Sequence, residues 1–257
     1  MGTFLFDEIV FGPIRSRRLG LSLGVNLSPV NGKLCNFNCI YCECGWNGGQ
    51  QQPRFPSREA VREQLEEKLK EMAADGNIPD VITFSGNGEP TMHPDFAAIV
   101  DDTISLRYKY VPSAKVSVLS NATMIGKKPV KNALLKVDNN ILKLDSAIDS
   151  TARLMDNPAP DYSVKKTVEL LKEFGGRMIL QTMFLRGECG GERVDNTTEE
   201  EVAAWLNAVE EIKPQKVMIY TIDRETPAKN LEKVSIEELG KIAERVRARG
   251  FECSVSG

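Results

Sequence analysis

The chain has 257 residues, 41% of them hydrophobic, and its 33 Lys and Arg against 36 Asp and Glu leave a net charge of −3. That balance gives no support to a protein built to grip many phosphates, and no unbroken apolar run is long enough to cross a bilayer. Asp7 and Glu8 stand where a secretory leader would carry positive charge, so the sequence reads as cytoplasmic, and its 6 cysteines point to metal or catalysis rather than disulfides.

Residues 1–20 read as an N-terminal extension packing on a single domain that fills 1–257. The first expected strand, 21–27, alternates loosely and leads into Cys35, Cys39, Cys42 and Cys44, which are too crowded for a disulfide framework. Ser57 caps an expected helix over 58–74, with Val61, Leu65, Leu69 and Met72 on one face and Gly76 just past the end. Short apolar or β-branched runs follow at 81–84, 115–119, 141–144, 178–184 and 216–222, as central parallel strands show. Between them, Phe96, Ile99, Val100 and Ile104 mark one helical face, and Val164, Val168, Leu171 and Phe174 another. Thr198 with Glu201, and Ser235 with Glu238, read as capping boxes for the last two helices. Six strand–helix alternations imply an α/β fold with right-handed crossovers. Six are too few to close an eight-stranded barrel, so the expectation is a partial, open, six-stranded parallel β/α barrel with its site at the C-terminal ends of the strands.

The spacing C-x3-C-x2-C of Cys35, Cys39 and Cys42 can wrap one face of a cubane cluster and leave one iron open, where four cysteines would seal it. The plainer alternative is structural zinc on these three and Cys44, but zinc knots pair cysteines on two separated arms. Gly86 and Gly88 allow close backbone approach, and Glu89 can accept from an ammonium; otherwise the segment is a turn with a solvated charge. Asn121 and Asp145 are polar residues at strand ends, natural for a site, with helix capping as the alternative. His93, the only histidine, reads as structural. Cys189, among Gly187, Gly190 and Gly191, is the candidate redox or catalytic thiol. Idle burial is the simpler reading for it, as for Cys44 and Cys253. Arg15, Arg17 and Arg18 suit a clamp on one anionic group near the barrel mouth, or are simply solvated.

With Tyr41 at the aromatic position, the cysteine pattern resembles that of the radical S-adenosylmethionine superfamily. Gly86, Gly88 and Glu89 resemble its Gly-Gly-Glu motif, with Asn87 where the family often has Gly. The resemblance implies a 4Fe-4S cluster on Cys35, Cys39 and Cys42, with S-adenosylmethionine chelated to the open iron. It puts Glu89 on the methionyl ammonium and Asn121 and Asp145 on the ribose and carboxylate. The implied reaction is reductive cleavage to a 5′-deoxyadenosyl radical that takes hydrogen from a substrate, fed by an external one-electron reductant of flavodoxin or ferredoxin type.

Phe11, Gly12, Arg17, Arg18 and Gly20 further resemble the branch of wyosine-forming tRNA enzymes and their bacterial relatives of undefined role. Arg15 stands where proline is usual, and no cysteine precedes Cys35 to hold the second cluster of the archaeal enzymes. The size is also similar to that of glycyl-radical activating enzymes, which act on a protein. A passive electron carrier would need neither Glu89 nor polar strand ends. The expectation is therefore a radical enzyme acting on an unnamed substrate with an anionic group. Neither a membrane nor an extended nucleic-acid partner is expected.

Overall fold

The computed structural model describes residues 4–16, 18–48 and 54–257. In chain order the elements are β1 (Val10–Ser16), β2 (Gly20–Val25), α1 (Arg58–Ala74), β3 (Val81–Phe84), α2 (Phe96–Tyr110), β4 (Lys115–Ser120), α3 (Lys128–Leu134), β5 (Asn139–Lys143), α4 (Asp149–Asp156), α5 (Val164–Lys172), β6 (Ile179–Met183), β7 (Leu185–Cys189), β8 (Glu192–Asp195), α6 (Glu199–Ile212), β9 (Lys216–Tyr220), β10 (Asn230–Lys233), α7 (Ile236–Arg247) and β11 (Cys253–Ser256). The main sheet runs β1-β2-β3-β4-β5-β6-β9-β11 and curls into an open half-barrel. Every pair in it is parallel except β1 with β2.

The six expected strands lie side by side at the centre of this sheet. The N-terminal segment enters the sheet itself through β1, whose pairing is irregular between Phe11 and Ile14. Pro13 in that stretch cannot donate a ladder bond, which is tolerable only on an edge. A second sheet, β10-β7-β8, stands beside the C-terminal ends of the barrel strands. With Phe37, Ile40, Tyr41 and Met155 it encloses a separate apolar cluster beneath the cysteine loop.

The helices cover the outer face. Val61, Leu65, Leu69 and Met72 of α1 are all buried, each worth about 1.5–3 kcal/mol relative to exposure. Ser57 caps α1 by accepting from the Ala60 N–H, and Ser235 and Glu238 form a reciprocal box on α7. The expected box on α6 is only half formed. Thr198 accepts from the Glu201 N–H, but the buried Glu201 carboxylate turns away to accept from Ser146 Oγ at 2.7 Å. Trp205 of α6 is buried, donates from Nε1 to Thr182 Oγ1 at 2.9 Å and meets Phe184 edge-on. Trp46, in the cysteine loop, is 42% exposed. Among the described residues no helix is long and apolar enough to cross a membrane.

Candidate active site

The loop between β2 and α1 carries four cysteines and, among its described residues, no helix or strand, so its backbone groups must find partners elsewhere. Asn47 closes it, donating from Nδ2 to the carbonyls of Cys35 (2.8 Å) and Phe37 (2.9 Å) and from its N–H to Asn38 Oδ1 (2.7 Å). Lys33 Nζ donates to the Gly45 carbonyl at 2.8 Å. Neighbouring segments hold its middle: Ile40 N–H donates to Met155 O (2.9 Å) and Ala228 N–H to Ile40 O (3.1 Å). Leu34 bridges in parallel to Gly88, where a Cβ would lie 1.8 Å from the Leu34 oxygen, so only glycine fits. At Gly86 a positive φ of 144° and a Cβ contact of 2.5 Å with Asn26 Oδ1 impose the same choice.

These ties bring Cys35, Cys39 and Cys42 to one cavity of about 260 Å³ at the C-terminal strand ends, lined also by Tyr41, Gly86, Gly88, Glu89 and Asn121. Burial, with the Glu89 charge nearby, pushes the Cys35 thiol up to about 12, and burial raises Cys39 as well. Cys42 is lowered to about 6, chiefly by its hydrogen bond with the Cys44 thiol. Two of the three thiols therefore keep their protons until a cation replaces them. Cys35 Sγ already accepts from the Phe37 N–H at 3.4 Å and from Asn121 Nδ2 at 3.7 Å, the kind of bond that tunes thiolate-held clusters. Among the described residues no three His, Cys, Asp or Glu side chains gather tightly enough to chelate one ion as they stand. Three thiols facing a shared space suit a cluster, and the donor set fits an iron–sulfur group.

Glu89, 3% exposed, is at once cavity wall and cross-link. It caps the turn Pro90–Met92, where Oε1 accepts from the Thr91 N–H (3.0 Å), the Thr91 hydroxyl and Ser120 Oγ (2.9 Å). Among the described residues Oε2 accepts only the Asn121 N–H, at 2.7 Å, and retains capacity for a second donor. Burial raises its carboxyl above the ordinary range despite these bonds. Asn121 spends its side chain inside the protein: Nδ2 donates to Asn36 Oδ1 (2.8 Å), and Oδ1 accepts from the Thr123 N–H (3.1 Å) and hydroxyl (2.7 Å). Asn87, where the family often has glycine, binds the N-terminal segment through Phe6 N–H (2.8 Å) and Phe6 O (2.7 Å).

Asp145 does not line the cavity. It lies behind the wall, 2% exposed, accepting from the Met183 N–H at 2.8 Å, from Lys143 Nζ at 3.2 Å and from the Tyr41 hydroxyl. Lys143 lines the space instead and donates from Nζ to Tyr220 OH at 2.8 Å. Burial opposes its charge, but Asp145 and Tyr220 more than offset this and raise its pKa. Burial beside Asp145 raises Asp156 so that it keeps its proton, and its carboxyl shares a 2.6 Å hydrogen bond with the Tyr41 hydroxyl, whose own proton goes to Asp145. Tyr41 thus anchors the cysteine loop to two carboxyl groups.

Other expected residues fall elsewhere. Cys189 ends β7 in the side sheet, packed against the second apolar cluster, and is not among the residues lining the cavity. Cys44 Sγ donates to the Gly86 carbonyl at 3.4 Å, and Cys253 is buried in the main core. His93 accepts at Nδ1 from the Asp95 N–H (3.0 Å) and reaches Pro56 O from Nε2 (2.8 Å), a structural role. Arg15 is exposed on β1, Arg17 lies outside the described residues, and Arg18 reaches the cavity. The β1–β2 turn, from which Arg18 starts, is at the N-terminal ends of the parallel strands, away from the mouth. Lys143, Gln181 and Tyr220 line the cavity without having been expected there; a polar residue facing inward from an otherwise apolar parallel strand is the signal that marks them.

A family model described as the Radical SAM superfamily matches residues 32–199. A GTPase Obg of Brachyspira hyodysenteriae is 30% identical over 250 residues, 96% of this chain, which spans only 34% of that relative. A UPF0026 protein of Helicobacter pylori is 33% identical over 242 residues, covering 91% of this chain and 72% of the relative. A solved radical SAM methyltransferase from Sphaerobacter thermophilus superposes with a TM-score of 0.67 at 14% identity, covering 91% of this chain and 65% of that one, a likeness of fold.

Proposed function

The chain belongs to the radical SAM superfamily and is one of its enzymes, and on that premise we propose that Cys35, Cys39 and Cys42 hold a 4Fe-4S cluster beside an S-adenosylmethionine site walled by Glu89. When bound, this pair would supply a 5′-deoxyadenosyl radical by one-electron cleavage of the sulfonium, and the radical would take hydrogen from the substrate. The observation that carries the reading is the convergence on one cavity of the three thiols and a buried carboxylate oxygen with spare acceptor capacity. Glu89 takes the methionyl ammonium, a charge-assisted contact made by a buried carboxylate. The electron comes from an external one-electron donor of flavodoxin or ferredoxin type. Tyr41, Gly88 and Asn47 fix the loop so that the cysteines face the cavity, and Tyr41 and Gly88, with Gly86, also wall the cofactor space.

The test is anaerobic reconstitution. The parent should take up about four irons and four sulfides per chain, and changing Cys35, Cys39 and Cys42 together to Ala should abolish uptake. With a strong reductant, the loaded parent should release 5′-deoxyadenosine from S-adenosylmethionine. Stoichiometric zinc with no iron uptake would overturn the reading.

A further inference from the structure

We propose that Arg18 and Gln181 form an anion-binding floor to the cavity, which takes a carboxylate or phosphate group of the substrate. This rests on the reading of the cavity as an S-adenosylmethionine and substrate site.

Arg18 starts from the β1–β2 turn, and its guanidinium stacks on Tyr220 at the far end of β9, 4.4 Å from the ring centre. Among the described residues it alone borders both the cysteine cavity and the larger hollow, about 880 Å³, at the opposite ends of the strands. The arginine therefore runs up the inside of the barrel and closes the cavity from below. Its Nη1 is buried without a hydrogen-bond partner, and among the described residues no carboxylate pairs with it. Gln181, on β6, lines the same cavity and carries a buried Nε2 that is also without a partner. Lys143 beside them is already neutralised by Asp145.

Two orphaned donors on separate elements, one carrying uncompensated charge, are costly unless a ligand completes them. A carboxylate or phosphate supplies both the acceptor oxygens and the opposite charge, and guanidinium geometry suits either. A neutral hydroxyl or ketone would leave the charge unmet. The methionyl carboxylate of the cofactor is the other source of such chemistry. Its ammonium and carboxylate share one carbon, so with the ammonium on Glu89 the carboxylate stays near the end of β4. Tyr220 ends β9, three strand positions away, roughly 14 Å along the curved sheet at about 4.8 Å per strand. The floor is therefore assigned to the substrate.

The experiment titrates inorganic phosphate and, separately, acetate into the full iron-loaded chain by calorimetry at constant ionic strength, with and without S-adenosylmethionine. Phosphate or acetate should bind the parent. Arg18→Met should weaken that binding about ten- to a hundredfold, and Gln181→Leu less. S-adenosylmethionine affinity should be unchanged in both variants, and bound S-adenosylmethionine should leave the anion titration intact. If neither anion binds the parent, or both variants bind like it, the inference is overturned. Displacement of the anion by S-adenosylmethionine, or loss of S-adenosylmethionine binding in Arg18→Met, gives the site to the cofactor and overturns it equally. If the parent takes up no iron yet still binds phosphate through Arg18, the radical reading fails while the anion floor stands.

Discussion

Glu89 is a buried structural cross-link that the proposed function also asks to hold a ligand. Truncation to Ala would strand the Asn121 N–H and the Ser120 and Thr91 hydroxyls next to the cysteine loop. A buried donor left without an acceptor costs about 1–3 kcal/mol. Glu89→Ala should therefore lower the melting temperature and also weaken S-adenosylmethionine about ten- to a hundredfold. Thermal denaturation and equilibrium binding check the two effects separately, and parental values in both would refute the dual role. That the thiols and Glu89 meet at one strand-end cavity was legible because glycines at a strand tip and the cysteine spacing are local signals. Asp145 was not: Lys143 and Asp145 are two residues apart and share a face, and what decides between them is the distant Met183 N–H, with Asn196 Nδ2 holding the Asp145 carbonyl at 2.8 Å.

Helices α1 and α2 are fastened where Asp102 accepts from Arg58 Nε (2.7 Å), Arg58 Nη2 (2.9 Å) and Arg62 Nη1 (3.2 Å). These hydrogen bonds, Arg58 foremost, hold the Asp102 carboxyl below its ordinary range. With the folded value depressed, the contribution is present above the unfolded carboxylate pKa of about 3.9 and is lost as pH falls through the folded one. Asp102→Asn should melt a few degrees below the parent near neutral pH, and the gap should close below about pH 4. A gap independent of pH in a melting series would show that packing, not charge, joins the helices. At this scale the long amphipathic helices and central strands were readable from periodicity. The 7-residue α3 and 8-residue α4 are too short to display a period, and β7, β8 and β10 are short, charged strands that read as loop.

As a whole the molecule is a curved wall with a hollow at each end, and the repeating strand–helix order made that wall legible from the chain alone. The threading of Arg18 between the hollows was not, because it depends on a side chain crossing from one end of the barrel to the other. The same architecture separates the 2 tryptophans: Trp205 is enclosed behind the sheet while Trp46 stands partly in water four residues beyond Cys42. A buried indole emits towards the blue and a wetted one towards the red, and a visible-absorbing iron centre quenches whichever lies nearer. Iron loading should dim the red component and leave the blue one, and Trp46→Phe should abolish the response; equal dimming in that variant would contradict this. The chain thus carries two optical channels of its own, one reading the state of the cysteine loop and the other the integrity of the fold.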